Sequence, residues 1–196
     1  MQIFTFAEFS NTFPKLLPYI GITLFIVVIT MAVSSVLAMG LAVLKLRNNK
    51  ILRALANGYT QIIQGTPFLI LLFVIFYGLP MIFEGFGVDL YGWDKAYFLL
   101  IALILFSTSR LSETFRSAYE AVDRTQMEAA VSVGLSGMQA MIHVIVPQAF
   151  YIALPNIGNV VISALLETSL GFTIGQIDIL GQAKLVNARN YGTRCV

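Results

Sequence analysis

The side chains able to make ion pairs and strong hydrogen bonds are concentrated in one stretch. Arg110, Glu113, Arg116, Glu120, Asp123, Arg124 and Glu128 all fall between positions 110 and 128. Glu113 with Arg116, and Arg116 with Glu120, have the spacing that brings opposite charges together on one helical face. Asp123 or Thr125 can cap a new helix whose first turn holds Glu128. Gly134 suits the end of the short run 127–133, and Ser136 suits the start of a second short helix over 137–146. Pro147 is expected to mark a break. The pattern predicts a helix–turn–helix at a membrane surface. Ala129 and Ala130 are small enough to let another surface approach, and Glu128 offers an acidic handle. The alternative is a solvated amphipathic connector. This is chemistry for contact, with no catalytic residue assigned. The single His143 leaves no His pair for a metal and no Ser/His/Asp triad, and reads as an interface residue. The single Cys195 excludes an internal disulfide and a cysteine metal cluster.

The elements that must position this stretch are apolar. Hydrophobic residues make up 58% of the 196 positions and charged residues 11%, where a soluble domain carries about 25% charged residues. So little charge cannot coat a soluble globule, and a net charge of +2 leaves no dense basic patch for nucleic acid. A spanning helix needs roughly 20 apolar residues. Four spans are expected, at about 19–44, 62–83, 96–116 and 150–169, making an all-α membrane protein of one domain. Gly65-Thr66-Pro67 interrupts the second, so 54–64 reads as an amphipathic lead-in. The third is too short unless it continues through Arg110 or Glu113, which places charge near a bundle interior or an interface. Pro155 and Asn156 predict a distorted fourth span. The N-terminal stretch lacks the form of a cleavable signal peptide, so the first run is expected to be retained.

Lys and Arg bias sets orientation. The turn after the first span holds Lys45, Arg47, Lys50 and Arg53 with no acid, whereas the next loop holds Glu84, Asp89 and Asp94 against Lys95. The first loop is expected to be cytoplasmic, the N-terminus external, and the 123–147 segment cytoplasmic.

Glu128-Ala129-Ala130, then Gly134, then Val144, Val146 and Pro147, resembles the docking loop of ABC-importer permeases. QGTPFLILLFVIFYGLP, residues 64–80, resembles the RGTP…YYGLP segment of the polar amino acid subfamily. LPNIGNVVISALLETSLGFTIG is similar to that subfamily's P-x-x-x-N…TSL segment. Together these cover most of residues 19–185. Gln64, Arg110, Thr125, Met127 and Leu166-Glu167 depart from the family pattern, but Glu128 to Gly134 is intact. The family has a fifth span after the QAK…Y stretch; the chain is expected to lack it, which would remove a packing partner.

The resemblance implies a multi-pass permease of the bacterial inner or plasma membrane, embedded in lipid. It implies pairing with a second permease subunit, identical or similar. It also implies docking of a separate ATP-binding subunit on Glu128, Ala129, Ala130, Gly134 and Pro147, and delivery of substrate by an extracytoplasmic solute-binding protein. The chain has no G-x-x-x-x-G-K-[ST] phosphate cradle. It is therefore not expected to be an enzyme or to hold a cofactor, and ATP and magnesium would be used by the partner. An amino acid substrate would need charged or hydroxyl groups along its path, and Arg110, Glu113, Glu167, Thr168 and Ser169 are the candidates. The alternatives are a Glu113–Arg116 pair at the cytoplasmic interface, a snorkelling Glu167, and hydroxyls that cap a helix end. Asn156 and Asn159 are expected to tie spans together, and Gly65, Thr66 and Pro67 to form a kink. Polar amino acids are the implied class, with cystine, glutamine, glutamate and arginine open. Competing readings are a channel or ion-coupled carrier, which leaves the 128–147 pattern unexplained, and a truncated, non-transporting scaffold.

Overall fold

The computed structural model describes residues 6–192, all of its regular structure helical. The reading of the N-terminal stretch falls partly on residues 1–5, which, like Cys195, lie outside them. The element order is α1 (Phe6–Leu46), α2 (Lys50–Gly65), α3 (Phe68–Phe73), a π-helical turn (Val74–Gly78), α4 (Leu79–Glu84), α5 (Lys95–Ala121), α6 (Arg124–Ser132), α7 (Gly137–Ala140), a second π-helical turn (Met141–Ile145), α8 (Val146–Thr168), a 3-10 turn (Ser169–Ile174) and α9 (Ile179–Gly192). Among the described residues, three helices are long and apolar enough to cross a membrane, or four if α2 and the bent continuation from α3 form one span. The all-α membrane architecture is as the apolar runs predict.

The helix break at Thr66 and Pro67 follows from local chemistry. Both residues are extended, Thr66 at φ −99°, ψ 126° and Pro67 at φ −54°, ψ 136°. Proline disfavours helix in the residue before it and has no N–H to continue the ladder.

Pro147 behaves differently from the expectation. The chain stays helical from Gly137 through Thr168, and Pro147 is only the second residue of α8. The π turn at Met141–Ile145 adds a residue to one turn just where the proline ring would press on the preceding carbonyls. Pro155 likewise lies inside continuous α8.

Contacts divide the chain into two compact units. One comprises the described residues up to Thr30, Pro67–Leu103 and those from Ser163; the other comprises Met31–Thr66 and Ile104–Ile162. In the first, Leu72, Leu99 and Leu103 are fully buried. Phe76 packs edge-on against Phe98 with ring centres 5.4 Å apart. Gly171 sits so close to α5 that a Cβ there would lie 2.7 Å from Leu99 Cδ2. The 3-10 turn therefore needs glycine at this position to lie against α5.

In the second unit, Ala38 of α1, Leu111 of α5 and Val160 of α8 form a buried cluster, flanked by Met31, Phe115 and Ile157. Two interhelical hydrogen bonds reinforce it: Ser34 Oγ donates to the Ile104 carbonyl at 3.1 Å, and Tyr59 Oη donates to the Leu105 carbonyl at 2.8 Å. Small and hydroxylated residues at helix contacts are what packing in lipid favours, because tails and side chains are equally apolar there.

Candidate functional site

The charged stretch folds into two parts, both in the second unit. The first is a cluster on α5. Glu113 Oε2 accepts from Arg116 Nε at 2.9 Å and lies 2.8 Å from Arg116 Nη2, and Arg116 Nη1 reaches Glu120 Oε2 at 2.6 Å. Glu113 Oε1 faces across to α1 and accepts from Lys45 Nζ at 2.8 Å. Lys45 also donates to Ser112 Oγ at 2.8 Å.

Lys45 is thus not part of the surface turn to which the charge bias assigned it. The correction has a physical reason: α1 extends through Leu46, which carries the Lys45 side chain, 0% exposed, against α5. Its partner lies 68 residues away, so no local spacing could reveal the pair. The only signal was that Lys45 is the first charge after the uncharged run 19–44.

The second part is the turn itself. Asp123 caps α6, accepting from the Thr125 N–H at 2.9 Å. Ser136 and Gln139 form a reciprocal capping box at the start of α7. Gly134 joins the two helices with φ +97°, a conformation L side chains rarely adopt. The Gly134 N–H donates to Val131 O, and the Leu135 N–H to Ala130 O, closing the C-terminus of α6. Gln148 Nε2 reaches Gln126 Oε1 at 3.4 Å, tying α8 to α6.

The turn hides its inner face and exposes its outer one. Ala130, Ala140 and Ile145 are buried. Glu128, Ala129, Gly134 and Pro147 are exposed, as are the apolar Val131, Val133 and Met138. Val133 is 80% exposed, which is costly in water and marks a contact surface. Glu128 stands at the rim of a concavity of about 440 Å³ with Tyr119, Asp123, Arg124 and Met127. His143 is exposed, with Nδ1 2.9 Å from the Gln139 carbonyl oxygen.

The Thr125 backbone N–H, assisted by the Thr125 hydroxyl, holds the Asp123 carboxyl below the ordinary aspartate range. A depressed folded pKa means the cap stabilises α6 fully above the unfolded pKa and loses that effect as pH falls through the folded value. Exchange of the Thr125 and Gln126 amides, corrected for intrinsic rate, should therefore quicken in the native chain only as pH falls below about 4, and change little in Asp123→Asn, which keeps a neutral cap. Equal acid sensitivity in both would show that Asp123 is not responsible.

The remaining predicted residues fall in both units. Arg110 on α5 is half-buried, its guanidinium carbon 4.3 Å from the centre of the Phe106 ring. Glu113 is engaged by Lys45 and Arg116 as described. Glu167, partly buried, and Thr168, fully buried, end α8, and Thr168 Oγ1 donates back to Leu165 O at 2.8 Å. Ser169 opens the 3-10 turn. Asn156 and Asn159 do not tie spans together here: both are exposed on α8, with no side-chain hydrogen bond among the described residues. The buried face of α8 is instead Ala153, Val160 and Ala164. No group of three or more His, Cys, Asp or Glu residues that could hold a metal occurs among the described residues.

Residues 34–192 match the family described as "Binding-protein-dependent transport system inner membrane component". The chain belongs to this family. It is accordingly a multi-pass inner-membrane permease chain, and relatives named as ABC permeases match it along most of its length. The L-cystine transport system permease protein TcyL of Bacillus subtilis is 37% identical, over 91% of this chain and 75% of that one. The nopaline transport system permease protein NocM of Agrobacterium fabrum is 33% identical, over 92% of this chain and 76% of that one. Among solved structures, a crystal structure of an amino acid ABC transporter with histidines superposes with a TM-score of 0.82 at 28% identity, covering 97% of this permease and 86% of that chain.

Proposed function

We propose that this permease is the transmembrane subunit of an ATP-driven importer for polar amino acids. The observation that carries the reading is the capped turn from Asp123 to Ala140, which presents Glu128, Ala129, Val131, Val133 and Met138 outward while burying Ala130 and Ala140. Such a surface fits a groove in a separate ATP-binding subunit, with Gly134 and Pro147 shaping the approach. Relatives named for cystine and nopaline transport support an amino acid substrate. A channel or ion-coupled carrier would leave the exposed apolar turn without an occupant.

The mechanism follows from two such subunits side by side. The second permease is identical or similar, and each half docks one ATPase, which binds ATP and magnesium. An extracytoplasmic binding protein delivers substrate, and the N-terminus lies outside. Closure of the ATPases draws the two turns together, and α5 and α8, which flank the turn, carry that displacement into the membrane. ATP can shift access only because the docked contacts differ between the open and closed ATPase states. Arg110 in one unit, and Glu167, Thr168 and Ser169 in the other, are the candidates for contact with substrate in this reading. Glu113, already held by two cations, serves the path less directly.

Glu128→Lys should weaken retention of the ATPase on purification by about tenfold or more, since reversing an interfacial charge leaves its partner facing a like charge. Uptake of a panel of labelled amino acids, measured with the cognate binding protein in proteoliposomes, should fall in parallel. Wild-type retention and uptake by Glu128→Lys would overturn the docking role.

A further inference from the structure

We propose that Lys45 is a positioning residue for transport, locking the end of α1 to α5 so that movement of the docking turn reaches α1. The inference rests on the importer reading and names a part of its transmission. A lysine ammonium taken wholly out of water must be paired and hydrogen-bonded, or it will deprotonate or disrupt the fold. Here the pairing is complete in kind: one carboxylate oxygen and one hydroxyl, each at 2.8 Å. Ser112 is oriented to accept, because its own proton goes to the Ser109 carbonyl at 2.8 Å.

The lysine does not stop at Glu113. The other oxygen of the same carboxylate is gripped by Arg116, and Arg116 reaches Glu120. The side chains step from 0% exposed at Lys45, through 34% at Glu113 and 33% at Arg116, to 51% at Glu120. Charges alternate along this line and cancel. It therefore runs from the buried last turn of α1, down two turns of α5, to within three residues of Asp123, the cap on which the docking helix begins. Charge-assisted bonds are shorter and more directional than apolar contacts. They fix the relative placement of two helices where smooth apolar packing would permit sliding.

A buried ion pair is weak evidence for stability, because an apolar replacement is often as stable. Position, rather than stability, is thus what Lys45 supplies, and the two can be separated. Lys45→Met leaves Glu113 paired with Arg116, so no carboxylate is stranded. The assembled transporter, with its ATPase and binding protein, is reconstituted, and the ATP hydrolysed per amino acid taken up is measured with the melting temperature of the complex. Lys45→Met should raise that ratio by about tenfold, within the range of ordinary coupling energies, while the complex still assembles and melts near the native temperature. Lys45→Arg should restore a near-native ratio, and Ser112→Ala should raise it by a smaller factor. An unchanged ratio in Lys45→Met, or uptake lost only in proportion to folded complex, overturns the inference. A wild-type preparation that retains no ATPase and shows no uptake overturns the importer reading, and this inference with it. An active wild type with an unchanged mutant ratio removes the inference alone.

Discussion

Gly134→Arg is expected to abolish retention of the ATPase and to reduce uptake to background. Two effects add. At φ +97° a side chain strains the backbone, at a cost of about 1–2 kcal/mol on the scale set by left-handed residues. The second effect is external. An added Cβ meets nothing within 4 Å inside this chain, so the new side chain stands in open space on the proposed docking face. The series Gly134→Asn, Gly134→Ala, Gly134→Arg separates them. Asparagine tolerates left-handed backbone and adds little bulk. It should remain partly active, alanine should fall below it through strain, and arginine should be inactive through obstruction. If alanine loses ATPase retention as fully as arginine while asparagine keeps it, backbone conformation is the whole cause. Wild-type uptake and retention by Gly134→Arg would remove the turn from the docking surface altogether.

Leu111→Ala is expected to cause the largest loss of stability, about 3 kcal/mol by the range seen for buried leucines. Leu111 is fully buried between Ala38 and Val160, with Phe115, Ile157 and Met31 around it. Its fully buried neighbours, Ala38 on α1 and Val160 on α8, are too short to reach into the void, and only Met31 has the length to fill part of it. The interhelical bonds from Ser34 and Tyr59 to the carbonyls of Ile104 and Leu105 hold the helices apart at their present spacing and hinder collapse. Lipid does not offset the loss, because a void forfeits contacts whatever the surroundings. Thermal unfolding in detergent should report it, with Val36→Ala on the 74% exposed face of α1 as a control within about 0.5 kcal/mol of native. Equal melting of the two variants would show that the cluster is not a core.

Local chemistry was legible in the sequence where it acts over a few residues. Asp123, Gly134 and Ser136 announce a helix start, a left-handed stop and a second start by residue type alone, and each has that geometry. Glu113, Arg116 and Glu120 announce their pairing by helical spacing. Thr66 and Pro67 announce a break because proline constrains its predecessor. What was illegible depends on distant partners or on compensation. A lysine after a long apolar run looks like a surface anchor until Ser112 and Glu113 are placed beside it. A proline at 147 looks like a helix end until the π turn ahead of it is known to absorb its ring. Asn156 and Asn159 look like cross-links because amides are costly in hydrocarbon, yet the helix turns Ala153 and Val160 inward in their place. The residues proposed for the substrate path are harder still: side-chain type named Glu167, Thr168 and Ser169, but only their placement at the α8 to 3-10 junction gives them a common location.

The π turn at Met141–Ile145 has a bearing on how this region tolerates change in length. Such a turn is, in effect, an α-helix with one residue too many. Each residue of an α-helix advances the facing direction by about 100°. Removing one residue from Met141–Ile145 would press α7 and α8 toward a single regular helix and drive the Pro147 ring against the carbonyl one turn before it. It would also rotate everything before it by that angle, turning Met138 away from its present outlook. The azimuth of the first arm relative to α8 is therefore written in residue count rather than in residue identity. Point substitutions in this stretch should be forgiven far more readily than a one-residue deletion.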